Sequence, residues 1–272
     1  TQLVTKKITL SRLSDLKYKI GRNVTIEADV VQIKQTSGPT IFTVCDDSCC
    51  EDAAAFTEAG IRSYPEVNLG DIVHIFGEAT RRNNQMQIEV SDMHVLKGTE
   101  ADAVRTRINK ALEDRAEPPE VTPLIESPVL EALWPEMRKL AKIVRLAVLT
   151  QQPIILRHHA DADGICAAVS VETAVLQYIR DNGGDPDHDN FLFRRSPSKA
   201  PFYEIEDVTR DLDMMLKDDV RFGQKLPLIL LMDNGSTEED MPSYKMTEVY
   251  QLDVVVADHH HTDETIDKYL LA

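Results

Sequence analysis

Between Arg157 and Gly164 the chain reads Arg-His-His-Ala-Asp-Ala-Asp-Gly, and three metal-capable side chains, His159, Asp161 and Asp163, alternate along it. In an extended segment, side chains two apart point to one side, so this alternation aims all three at one spot. Carboxylates packed so closely repel one another unless a cation neutralises them. The simplest chemistry for the stretch is a divalent-metal site. Two later clusters have a similar make-up, Asp233-Asn234-Gly235 and Asp258-His259-His260-His261. Oxygen and imidazole donors without thiolate suit manganese or magnesium over structural zinc.

Each cluster follows an apolar run, at residues 154–156, 226–232 and 253–257. Helical patterns are predicted over 165–181, stopped at 182–184, and over 204–217, with a strand at 191–193 and a loop or helix at 237–246. Apolar strands alternating with helices predict the α/β class, a doubly wound, mostly parallel sheet. Such a sheet gathers ligands beyond the carboxyl ends of its strands, where all three clusters fall.

Residues 1–98 read differently. Short alternating strands are predicted at 24–33, 40–44, 53–56, 72–77, 86–90 and 93–96. Turns fall at Ser37-Gly38-Pro39 and Asn68-Leu69-Gly70-Asp71, and a hairpin tip at 81–84. This is the pattern of a small all-β barrel or sandwich. A charged helix over 100–116 has a weak apolar side, Ala103, Ile108, Ala111 and Leu112. Glu117-Pro118-Pro119-Glu120-Val121-Thr122-Pro123 then reads as an extended linker. Another helix covers 128–150, starting near Pro135, with Trp134 packed inside. The expected domains are 1–98, a helix and linker over 99–127, and 128–272.

The net charge of −16 argues against a generally basic nucleic-acid binder but leaves room for local basic patches. Residues 1–98 are nearly balanced, with 11 Lys and Arg against 13 Asp and Glu, so the acid lies in the second part. Cys45, Cys49, Cys50 and Cys166 lack the partners of a zinc site and are expected as free thiols of a reducing cytosol. No apolar run approaches a membrane span and no signal-peptide pattern is seen, so a cytoplasmic protein is expected.

Val24-Thr25-Ile26-Glu27-Ala28-Asp29-Val30, Gly70-Asp71-Ile72-Val73-His74-Ile75-Phe76-Gly77 and Gln85-Met86-Gln87-Ile88-Glu89-Val90 resemble an OB-fold of the nucleic-acid-binding type. The resemblance implies a face that holds single strands by stacking and phosphate contacts. Lys34, Phe42, Phe56, Tyr64, Arg81 and Arg82 are the residues expected there, unless the aromatics are core and the arginines only a solvated tip. From about residue 150 onward, His159-Ala160-Asp161-Ala162-Asp163-Gly164, Asp233 and Asp258-His259-His260 resemble the first three motifs of the DHH phosphoesterases. The Asp-Ala-Asp-Gly run and the adjoining OB-like region favour the archaeal RecJ-like proteins among them.

The resemblance implies two divalent cations, Mn2+ or Mg2+, one held by His159 and Asp161, the other by Asp163 and His259, with Asp233 bridging. It also implies that Asp258 orients and His260 faces the phosphate. Arg157 is expected as a phosphate contact, or else as a salt bridge at the strand end. Arg194, Arg195 and Lys199 are expected in a loop near substrate, adding local positive potential, or else solvated. The chain departs from the family pattern in three ways. Bacterial RecJ has Asp at the place of His159. It carries its OB domain after the catalytic core. The fourth motif and the DHH-associated domain are missing before Ala272, so the chain is expected to be an N-terminal fragment or to act with a second chain.

The implied function is a metal-dependent phosphodiesterase, foremost an exonuclease on single-stranded DNA or RNA, with replication or repair proteins as further partners and no membrane. The alternatives are an enzyme for short oligonucleotides or other small phosphates, and a non-catalytic replication-complex protein.

Overall fold

Apolar residues on alternate positions of β1 (Asn23–Gln35) go inward: Val24, Ile26, Ala28 and Val30 are all buried. It is followed by β2 (Thr40–Cys45), β3 (Cys50–Ala55), β4 (Ile72–Arg82) and β5 (Gln85–Val95), and the five strands close a barrel in the order β1-β2-β3-β5-β4. All pairings are antiparallel except β3 with β5, which run parallel over three residue pairs and seal the barrel. Phe42, Ile26, Ile75, Ile88 and Val44 fill its interior, each contributing roughly 1.5–3 kcal/mol by leaving water. The computed structural model describes residues 9–182 and 189–272, and the chain divides into two compact units, Thr1–Asp114 and Arg115–Ala272. The stop predicted at 182–184 therefore lies partly outside the described residues.

The two strands predicted at 86–90 and 93–96 are one strand, β5. An irregularity of register at Phe76/Gly77 on β4 bends the pair without ending it. Of the four cysteines expected as free thiols, Cys49 and Cys166 are outside any disulfide, and the other two are corrected. Cys45 and Cys50 are opposite one another at the end of the β2–β3 hairpin, Cα atoms 4.0 Å apart, and form a disulfide. Inside the loop they close, buried Asp46 accepts from the backbone N–H of Leu13 (2.7 Å), Ser48 (2.7 Å) and Cys49 (3.1 Å). Glu51 follows the disulfide. Burial, reinforced by Asp52 and Asp46, pushes its carboxyl up to about 7.

Helix α1 (Gly98–Ala116) buries Ala101, Val104, Ile108 and Leu112. Ala103, expected on that side, is exposed; the helical period selects Val104 instead. Arg105 donates to the Gly70 carbonyl at 2.8 Å and Arg107 reaches Glu27 at 3.4 Å, joining this helix to the barrel wall.

In the second unit, α2 (Pro128–Leu149) starts seven residues before Pro135, with Pro128 in its first turn, and carries Pro135 inside. Strands β6 (Ile154–His159), β7 (Phe193–Ser198), β8 (Leu228–Met232) and β9 (Asp253–Ala257) form a parallel sheet in the order β7-β6-β8-β9. One face packs against α2 and α3 (Ala162–Asp181) through Leu156, Leu230, Val255, Ala168 and Val148. A short α4 (Asp189–Leu192) precedes β7. The other face packs against α5 (Ile205–Phe222) and α6 (Met241–Val249) through Ile155, Ile229, Leu231, Leu212 and Tyr244. Helices thus cover both faces. Because β7 and β8 flank β6 on opposite sides, the winding reverses between β6 and β8, the position where such sheets open a crevice.

Candidate metal centre

The crevice is built by three chain reversals at the carboxyl edge. His159 is the last residue of β6. Asp161 is the N-cap of α3 and its Oδ1 accepts from the Gly164 N–H at 3.1 Å. Asp163 lies in the first helical turn. The expected alternation along an extended strand is therefore corrected: helix α3 begins at Ala162, and a strand-to-helix turn, not a pleat, gathers these side chains. Gly164 makes the turn tight. A Cβ there would collide with the His159 carbonyl oxygen and stand 2.8 Å from Oδ2 of Asp233.

Asp233 follows β8 with a left-handed backbone (φ 59°), a conformation that Asp tolerates better than most residues. It is buried (5% exposed) and sits between two groups of ligand-type atoms. On one side Nδ1 of His159 lies 3.7 Å from Oδ2 of Asp233 and 2.9 Å from Oδ2 of Asp161. On the other, Nε2 of His259 lies 2.9 Å from Oδ1 of Asp233 and 3.2 Å from Oδ2 of Asp163. Neither Asp233 oxygen, nor Nδ1 of His159, makes an aligned hydrogen bond, although all three atoms are buried. Burial, with Asp161 and Asp163 close by, raises the Asp233 carboxyl above its usual range. Asp161 is held below its own range: a rise from burial is outweighed by the Gly164 N–H, by Asp163 and Asp233, and by His159. A buried carboxylate with no proper donor, ringed by imidazoles and two more carboxylates, fits a divalent cation by its donor set.

Asp258 behaves differently. Its Oδ2 accepts from Ser236 N (3.2 Å) and Ser236 Oγ (2.6 Å). Its Oδ1 meets the N–H of His259 (2.8 Å) and of His260 (3.3 Å), and Nδ1 of His260 (2.6 Å). Burial would raise this carboxyl, but Ser236 and His260 hold it below the usual range, and the same contact raises His260. Sequence reasoning missed Ser236. Its only signal is its place two residues after Asn234 in a Gly-containing turn. Asn234, beside Asp233, is wholly buried with neither amide atom partnered.

Comparison with known proteins bears on the fold of both parts of the chain. Residues 24–96 match the family described as OB-fold nucleic acid binding domain. The uncharacterized protein MJ1198 of Methanocaldococcus jannaschii is 45% identical over 267 residues, which is 96% of this chain and 35% of that protein. A solved structure of a DHH domain, described as belonging to a member of a family of ribosomal proteins, shares 43% identity with a TM-score of 0.61. The match covers 64% of this chain and 41% of that one. The chain thus spans about a third of the curated relative it matches. It is an OB-fold barrel followed by a DHH-type domain.

Within the DHH-type domain the expected arginines are not at the centre. Arg157 is buried beneath it, bonded to Asp211 (2.6 Å) and Asp207 (3.1 Å) of α5, with Tyr203 also donating to Asp211 at 3.0 Å. Of the two readings of Arg157, the salt bridge is the one found and the phosphate contact is not: both faces of a doubly wound sheet are covered, so alternation sends Arg157 under a helix. Phe191 belongs to α4, and Arg194 and Arg195 lie within β7 rather than in a loop beyond it. Arg194 pairs with Ile155, near the amino end of the strands, and its guanidinium reaches Asp218 at 3.5 Å. Arg195 binds Glu172 of α3 at 2.7 Å and lies 3.3 Å from Nε2 of His158. Lys199 is exposed just past β7. A hollow at the amino end of the sheet, lined by Pro153, Phe193, Met215 and Pro227 among others, shares no residue with the metal cluster.

On the OB-fold barrel, Arg81 and Arg82 are exposed at the end of β4. The turn Asn83-Asn84 after them has positive φ at both residues, as a two-residue hairpin turn requires. Lys34 is exposed on β1 and Phe56 is exposed after β3, whereas Phe42 is wholly buried in the barrel core and unavailable for stacking. Among the described residues no helix is long and apolar enough to cross a membrane.

Proposed function

We propose that the chain carries the strand-binding and metal-binding parts of a divalent-metal-dependent phosphodiesterase, RecJ-like in type, that degrades single-stranded nucleic acid from an end. One observation carries this reading: the two buried, unbonded oxygens of Asp233 each face a separate His/Asp group. His159 and Asp161 would hold one Mn2+ or Mg2+, Asp163 and His259 the other, and Asp233 would serve both. Such cations would supply a water of lowered pKa and positive charge for the phosphoryl oxygens.

The chain's own groups do the rest. Asp258 fixes the ring of His260 through Nδ1, leaving its other nitrogen for a phosphate oxygen or a leaving group. The turn at Gly164 keeps Cβ atoms out of the crevice. The exposed Arg81, Arg82 and Lys34 of the barrel are suited to the backbone of a strand. The solved relative's description as a ribosomal protein family member favours RNA as the first substrate to try.

The deciding experiment digests single-stranded RNA and DNA, labelled at either end, with the chain and Mn2+. A ladder that shortens from one end, absent with a chelator, is expected. No Mn2+-dependent product from either nucleic acid would sink the proposal, and activity confined to 5-mers would turn it toward small phosphodiesters.

A further inference from the structure

Every hydrogen-bonding position of Asp258 is taken: Oδ2 by two donors of Ser236, Oδ1 by two backbone N–H groups and the His260 ring. Asp258 has no oxygen left over for a cation, so what it does is hold His260. Ser236 in turn holds Asp258. It is itself fixed from three directions. Its side chain is 4% exposed. Its carbonyl accepts from the Asp263 N–H at 2.8 Å, tying down the segment that follows the three histidines. Before it, Gly235 has φ 96° and a carbonyl that accepts from the Tyr244 hydroxyl; a Cβ at Gly235 would lie 2.6 Å from Leu231 and 2.9 Å from that hydroxyl.

We propose that Ser236 is a positioning residue: it clamps Oδ2 of Asp258 so that Oδ1 orients the His260 ring toward the reacting phosphate. This rests on the phosphodiesterase reading above and adds a residue to it. Removing the outer partner of a metal ligand commonly costs about 10- to 100-fold, and a loss of that order is expected for this clamp on His260. The loss should fall on kcat and not on KM, because Ser236 is buried and is expected to touch neither strand nor metal.

The test has two independent readouts in the full chain. In the first, Ser236→Ala lowers kcat by about 10- to 100-fold with KM and Mn2+ affinity unchanged, yet lowers it no further in a His260→Ala background. An equal fall in both backgrounds would mean that Ser236 does not act through His260. The second readout needs no activity. The Nδ1–H proton of His260, assigned by its loss in His260→Gln, is followed by NMR. In Ser236→Ala it should shift and exchange faster with water. An unchanged resonance and exchange rate overturn the proposal. If the wild-type chain hydrolyses nothing but the resonance responds, the phosphodiesterase reading fails and the positioning role stands. Should Ser236→Ala not fold, Ser236→Cys makes the same comparison, keeping the side chain's shape while replacing a strong donor by a weak one.

Discussion

Asp233 and His259 meet at 2.9 Å across the ends of two neighbouring strands, a buried carboxylate against a side chain that is 70% exposed. The pairing joins the inside of the sheet to solvent through one contact. It also leaves the ionised form of Asp233 poorly compensated, since neither oxygen has an aligned donor and His159 and His260 lie 3.7 and 3.9 Å away.

The first prediction follows from that cost. Asp233→Asn removes a buried charge at a left-handed position that Asn also tolerates. The metal-free thermal midpoint is expected to rise by roughly 2 °C or more, as for other stability gains at functional sites, while the stabilisation produced by added Mn2+ disappears. Thermal melts with and without Mn2+ check both. A lower metal-free midpoint would show that the ionised carboxylate is not a burden.

Arg157 gives the second. Arg157→Met leaves Asp207 and Asp211 buried without their cation, so unfolding free energy should fall by roughly 3–5 kcal/mol. Affinity for a single strand should not change where the variant is folded. Denaturant titration and a binding isotherm separate the two effects; weakened binding at full stability would return Arg157 to the substrate site.

Glu51 makes the barrel sensitive to pH. Its folded pKa, about 7, is raised above the ordinary 4.5, so the stability tied to its protonated form is complete below about pH 4.5 and is lost as pH rises through 7. Glu51→Gln should therefore match the wild type near pH 4 and be the more stable protein at pH 8. Midpoints measured at both pH values decide it, and equal midpoints at pH 8 would remove the claim.

A fourth prediction concerns the hairpin tip. If Arg81 and Arg82 each neutralise a phosphate, Arg81→Ala/Arg82→Ala should weaken single-strand binding and reduce the slope of log K against log salt by about 1.4, at about 0.7 per contact. Both side chains are exposed, so the thermal midpoint should hold. An unaltered salt slope would place the strand elsewhere on the barrel.

Much of this architecture is legible in the residues. Period-two alternation marks β1, and unbroken apolar runs mark β8 and β9 because both faces of that sheet are covered. The same coverage decides between the two readings of Arg157 in favour of the salt bridge. Its partners Asp207 and Asp211 are four apart on a helix that looks merely polar in sequence, yet both face the sheet. The three residues His159, Asp161 and Asp163 come together, but by a turn into α3, which a strand-based reading could not anticipate. Cys45 and Cys50 pair because the β2–β3 register sets them opposite, information that spacing alone does not hold. Ser236 stayed hidden because a serine in a turn is common, and its role exists only once Asp258 is brought 22 residues back to it.

Asp161 spends one oxygen on capping α3 at Gly164 and turns the other toward His159. One side chain thus serves both the start of the helix and the candidate ligand set. A cation bound at this edge would also report on the first turn of α3. Fraying of that turn would loosen such a cation, and a bound cation would slow amide exchange along the start of the helix.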